Sequence, residues 1–119
     1  MRSITFFRSI RQTGIGEYAL YLELPAEGRI VKKIMEKSMG VLRIKNASKE
    51  FPDELEVPRM YFRQLEVYLK KVIRLVNEDC AKDGVHLKSY IVEKCVFKKK
   101  EEGHLIKINI IGIMNKERK

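Results

Sequence analysis

Two histidines, two cysteines and one cluster of carboxylates are the side chains of this 119-residue sequence with the chemistry for metal binding or catalysis. His86 and His104 each stand beside a predicted turn among lysines, where a hairpin could bring them together. A zinc site takes at least three protein ligands, and the pattern supplies no third, so both are expected to be solvated or capping residues. Glu50, Asp53, Glu54 and Glu56 fall in and just after one loop, a set of hard oxygen donors that suits a divalent cation and equally well balances neighbouring lysines. Glu101 and Glu102 sit at a predicted hairpin tip, a poor place for an acid or base that must work away from water. Cys80 and Cys95 are too few for a disulfide scaffold and are expected as reduced, buried thiols in a reducing, cytoplasmic setting. The chain has no Walker loop, dinucleotide fingerprint, nucleophile elbow or paired-histidine helix motif. No enzyme, metal or cofactor is expected, and metal-dependent chemistry at the acidic loop is the remaining catalytic alternative.

The basic side chains are better organised. At about 100° per residue, Arg59, Arg63, Lys70 and Arg74 fall within roughly 60° of one another on a predicted helix. Arg29, Lys33 and Lys37 repeat at i, i+4 and i+8 on another, and a hairpin adds Lys98, Lys99, Lys100 and Lys107. Glu66 interrupts the first stripe and Glu36 lies near the second. Cations spaced in this way can follow a phosphate backbone and displace its counterions, and a two-stranded ribbon is narrow enough to enter a groove. The same residues are ordinary on the solvated face of any amphipathic helix. Most of the aromatic residues, Phe6, Phe7, Tyr18, Tyr21, Tyr61, Phe62, Tyr68, Tyr90 and Phe97, stand at core-periodic positions. With no RNA-recognition motif or GXXG loop, backbone and shape recognition are favoured over base readout.

These residues need a scaffold, and hydrophobic periodicity supplies one. Ile4–Ile10 and Tyr18–Leu24 read as strands joined through Gly14-Ile15-Gly16, a β-hairpin. Pro25 is expected to open a helix with Glu27 in its first turn and a stop at Gly40, with Ile30, Val31, Ile34, Met35 and Met39 on its apolar face. Val41–Ile44 reads as a short strand and Asn46–Asp53 as a loop. From Arg59 to Cys80, opened by Pro58, Phe62, Leu65, Leu69, Val72 and Val76 trace a long amphipathic helix that Asp83-Gly84 ends. Leu87–Phe97 and Leu105–Met114 complete the set as two strands. The order β-β-α-β-α-β-β predicts an α+β two-layer sandwich, a mixed sheet with both helices on one face. One domain covers residues 1–119, with a hairpin over 1–24, a core over 25–114 and a frayed tail over 115–119.

Composition agrees with such a domain. Lys and Arg number 25 against 16 Asp and Glu, a net charge of +9 that attracts polyanions. No apolar run nears the length that spans a bilayer, so no membrane partner is expected. Arg2, Ser3, Arg8, Ser9 and Arg11, without an acid in the first 16 residues, also fit an organelle presequence.

From Tyr18 onward the order of elements resembles the Alba family of small basic DNA- and RNA-binding proteins, and the related C-terminal domain of bacterial translation initiation factor three. The matching parts are Tyr18–Leu24, Pro25–Met39, Val41–Lys45, Arg59–Cys80 and Leu87–Met114. The resemblance implies a dimer whose final hairpin is a basic arm, with Lys98, Lys99, Lys100 and Lys107 in that role. The family's paired lysines at the first helix are replaced by Ala26-Glu27-Gly28, and its small-residue entry to the second by Val57-Pro58-Arg59. If Leu55–Val57 is instead a strand, Tyr18 onward reads β-α-β-β-α-β, the ferredoxin-like order of a ribonucleoprotein subunit. Leu69–Phe97 is also similar to part of the large-subunit ribosomal protein that lines the exit tunnel. The expected function is binding of RNA or duplex DNA through phosphate contacts, as a homodimer or within a larger complex. A structural or assembly subunit docking on an acidic protein is the alternative.

Overall fold

The computed structural model describes residues 7–47, 50–81 and 85–116. Strand β1 (Phe7–Gly14) and strand β2 (Glu17–Pro25) form the N-terminal hairpin, with Ile15 fully exposed at its tip and Gly16 at a φ of 70°. Helix α1 (Arg29–Asn46) follows, then strand β3 (Glu54–Glu56), a 3-10 turn (Arg59–Tyr61) and helix α2 (Phe62–Cys80). Strands β4 (Val85–Lys99) and β5 (His104–Lys116) form the closing hairpin. Ile4–Phe6 of the expected first strand, the Asp83-Gly84 turn and residues 117–119 of the expected tail lie outside the described residues. Asn115 and Lys116 belong to β5 rather than to a frayed end.

The sheet order is β1-β2-β5-β4-β3, and every neighbouring pair is antiparallel, where a mixed sheet was expected. The path of α2 explains the difference. Glu56 pairs with Val96, and the Leu87 N–H donates to Asn77 Oδ1 at 2.8 Å, so α2 carries on in the direction of β3 and β4 returns. Alternation along the strands divides the sheet into two faces. Leu20, Leu22, Leu24, Ile106, Ile108, Ile110, Val92, Cys95 and Phe97 point to the helices and are buried. Val31, Ile34 and Met39 of α1, with Leu65, Leu69, Val72 and Val76 of α2, close the core from above.

Three expected boundaries move. Pro25 is the last residue of β2, opposite Leu105, and α1 starts four residues later behind Gly28, which has a φ of 98°. Glu27 therefore precedes the helix, and the first turn holds no acid. Gly40 does not stop α1, and Val41–Ile44 is helix rather than strand. Gly40 sits on the solvent side, where it costs only its weak propensity, about 1 kcal/mol. Leu42 continues the packed stripe of Ile34, Met35, Ser38 and Met39, and this holds the helix together through the glycine. The buried Ser38 hydroxyl is satisfied by donating to the Ile34 carbonyl at 2.8 Å. The third strand is Glu54–Glu56, and Arg59 lies in the 3-10 turn ahead of the long helix.

Candidate nucleic-acid interface

Helix α1 holds six basic residues, Arg29, Lys32, Lys33, Lys37, Arg43 and Lys45, against one acid, Glu36. All six are exposed, and among the described residues none forms an ion pair. At about 100° per residue, all but Lys45 fall in an arc of roughly 140° on the side away from the sheet. On α2, Arg63, Lys70 and Arg74 form the expected exposed stripe, and Lys71 lies beside it. Lys37 reaches across to the start of α2, where its Nζ donates to Gln64 Oε1 at 3.1 Å and lies 5.7 Å from the centre of the Tyr61 ring. Arg29, Ile30 and Val31 share a groove with Val67, Tyr68 and Lys71. The helices thus run in opposite senses where they touch, and their cations share one layer.

That groove has a volume of about 610 Å³. Its floor and walls are Leu24, Pro25, Ile30, Val31, Val67 and Tyr68, with Arg29 and Lys71 on its rim and Glu27 nearby. Burial, and more weakly the charges of Cys95 and Glu27, raises the Tyr68 hydroxyl above its ordinary range, so it stays a neutral donor.

The other expected cations are not part of this layer. Arg59 folds over the Phe62 ring at 6.0 Å and lines a separate hollow with Lys45, Glu54 and Lys94. Lys98 and Lys107 stand at strand positions on the opposite, helix-free face of the sheet, where Lys107 Nζ lies 3.8 Å from Glu54 Oε1. Lys99 and Lys100 are exposed at the tip beside Glu101 and Glu102. The tip is tied down rather than projecting as an arm. The Ala26 N–H donates to the His104 carbonyl, the Lys99 N–H donates to the Asp53 carbonyl, and Phe51 packs on the His104 ring at 4.6 Å. The structure therefore places Arg29, Lys33, Lys37, Arg63, Lys70 and Arg74 on the outer side of the two helices, Arg59 in the hollow beside Lys45 of α1, and Lys98, Lys99, Lys100 and Lys107 on the helix-free face or at the hairpin tip. Reading α1 as ending at Gly40 concealed Arg43 and Lys45, and following a strict i, i+4 repeat passed over Lys32 and Lys71.

His86 pairs with Asn115 and His104 with Lys99, so the two histidines occupy opposite ends of the closing hairpin and do not meet. No group of three potential metal ligands exists among the described residues. Cys95 is a free, buried thiol, pushed up to about 12 by desolvation, so it stays protonated at neutral pH. Among the described aromatic side chains, Tyr21 alone stands on the helix-free face, and its hydroxyl donates to Glu23 Oε2 at 2.9 Å. No described helix is long and apolar enough to cross a membrane. Comparison with family models, curated proteins and solved structures found no match to this chain.

Proposed function

We propose that the protein binds RNA or duplex DNA through phosphate contacts made by the outer layer of α1 and α2. The carrying observation is the charge of α1, six exposed cations against Glu36 and no ion pair among the described residues. Opposing carboxylates would screen such a row, whereas phosphates spaced along a nucleic acid would neutralise it and release counterions. The stripe on α2 widens the surface. The reading differs from the Alba-like expectation in its tool, because the tied hairpin tip leaves the helices, not an arm, to meet the backbone. A cytoplasmic setting belongs to the same proposal.

The test is a fluorescence titration against an RNA hairpin and a DNA duplex at two salt concentrations. Replacing Lys32, Lys33 and Arg43 together with alanine is expected to weaken binding to both by about tenfold or more. Changing Lys99 and Lys100 at the tied tip is expected to alter it little. No binding at low salt, or binding that salt leaves unchanged, removes the proposal.

A second reading, docking on an acidic protein, is favoured by the groove between the helices. Its apolar floor has no use in phosphate contact, and Arg29 and Lys71 flank it. A stable complex with an acidic partner, displaced by Val67→Asp and formed without nucleic-acid affinity, would select this reading.

A further inference from the structure

Both helices cover one face of the sheet, and no described element packs on the other. We infer that this open face is where a second copy of the chain docks, sheet against sheet.

Three properties of the face point to this occupant. The first is apolar surface. Ile91 pairs with Ile111, Ile113 with Ser89, and Ile111 also with Ala19, so three isoleucines and an alanine adjoin at one end of the face. Ile91 is 70% and Ile113 50% exposed, Ile113 on the central strand β5 and Ile91 on β4 beyond the stretch that β3 pairs with.

The second is charge. Two copies that each carry +9 repel at most orientations. On the open face, Arg11, Lys88, Lys94, Lys98 and Lys107 stand with Glu17, Glu23, Glu54, Glu56 and Glu93, five cations and five carboxylates. Among the described residues the positive excess is concentrated on the helix layer instead. This near-neutral face draws a polyanion less than the helix layer does and brings both signs to a copy of itself.

The third is shape. Beside the projecting isoleucines lies a hollow of about 440 Å³, lined by Ser9, Arg11, Ala19, Tyr21, Glu93 and Asn109. A smaller hollow of about 190 Å³ lies next to Lys107 and Val96. Projections and hollows on one surface are what a two-fold, self-complementary contact requires. The region where β2 and β5 pair is roughly 30 Å long and, with β4 on one side and β1 or β3 at the flanks, roughly 15–20 Å wide. That is the scale of the ~800 Å² per partner found in stable complexes. Docking in this way leaves both basic helix layers outward, on opposite sides of the dimer.

Salt distinguishes this inference from the proposed function. Self-association of like-charged chains strengthens as salt screens their repulsion, whereas phosphate binding weakens. Sedimentation equilibrium of the full chain, without nucleic acid and across micromolar concentrations, is expected to show a mass rising to twice the monomer, more readily at higher salt. Ile91→Asp with Ile113→Asp is expected to remain monomeric with an unchanged circular dichroism spectrum. Ile44→Asp, at an exposed isoleucine of the helix layer, is expected to dimerise like the parent. As a second measurement, Ser89→Cys in a Cys80→Ser background is expected to cross-link between copies under mild oxidation, and Lys33→Cys is not. A parent that stays monomeric, a double aspartate variant that dimerises undiminished, or cross-linking no greater at Ser89 than at Lys33 overturns the inference. Each of those results leaves nucleic-acid binding by the helices standing.

Discussion

Cys95 illustrates how burial alone sets the chemistry of a residue in this protein. Its thiol is fully buried beneath the helices, so the charged thiolate is disfavoured and ionisation moves from 9 to about 12. The unfolded chain releases this proton above pH 9 while the folded chain keeps it. The stabilisation is complete below pH 9 and is lost as pH rises toward 12, and Tyr68, also raised, acts in the same direction above pH 10. Thermal melts are expected to shift downward steadily between pH 9 and 11, and a Cys95→Ala variant is expected to show a shallower fall. Equal slopes in the two proteins would refute the assignment. Gly112 makes a different point, about space. A Cβ there would run into the Leu87 side chain and come within 3.3 Å of the Ser89 carbonyl oxygen, because the β4 bulge between Leu87 and Ser89 draws that strand inward. Gly112→Ala is expected to lower stability by about 1–3 kcal/mol in urea unfolding, the usual effect of overpacking.

At the scale of the elements, α1 shows what was readable and what was not. Ile30, Val31, Ile34, Met35 and Met39 mark the helix in the sequence, and Phe62 to Val76 mark α2, because tertiary packing follows the same period that the sequence displays. The ends of α1 were not readable. Pro25 suits a helix start and a strand end equally, and its pairing with Leu105 decides for the strand. Gly40 suits a helix stop, yet the packing of Leu42 beyond it outweighs the glycine. β3 is only three residues long, too short for alternation to stand out, and its pairing with β4 is a non-local fact. The division of the basic residues into two faces was equally hidden, since it depends on which side of the sheet the helices take. Gly40→Ala discriminates between the two readings of this stretch. A Cβ at Gly40 meets nothing within 4 Å, and the residue has helical, not left-handed, backbone. Alanine is expected to raise stability by about 0.5–1 kcal/mol. At a left-handed helix stop followed by a strand, the same change would destabilise.

Across the whole molecule the charge is asymmetric, and that asymmetry is what the proposed function uses. The helix layer carries the positive excess, while the open face of the sheet is close to neutral. A molecule of this kind meets a polyanion in one orientation only, so its binding should depend on salt through the helix cations alone. For duplex DNA, the slope of log affinity against log salt is about −0.9 for each phosphate neutralised. Each of Lys33, Lys70 and Arg74 that touches a phosphate should then reduce the slope by about 1 when replaced with alanine. Lys94 lies on the open face and should leave the slope unchanged. Lys107, held near Glu54 on the same face, should behave like Lys94. Affinity titrations at four or five salt concentrations measure these slopes directly. If the open-face lysines lower the slope as much as those on the helices, the nucleic acid is wrapping the whole particle, and the assignment of its contact surface to α1 and α2 fails.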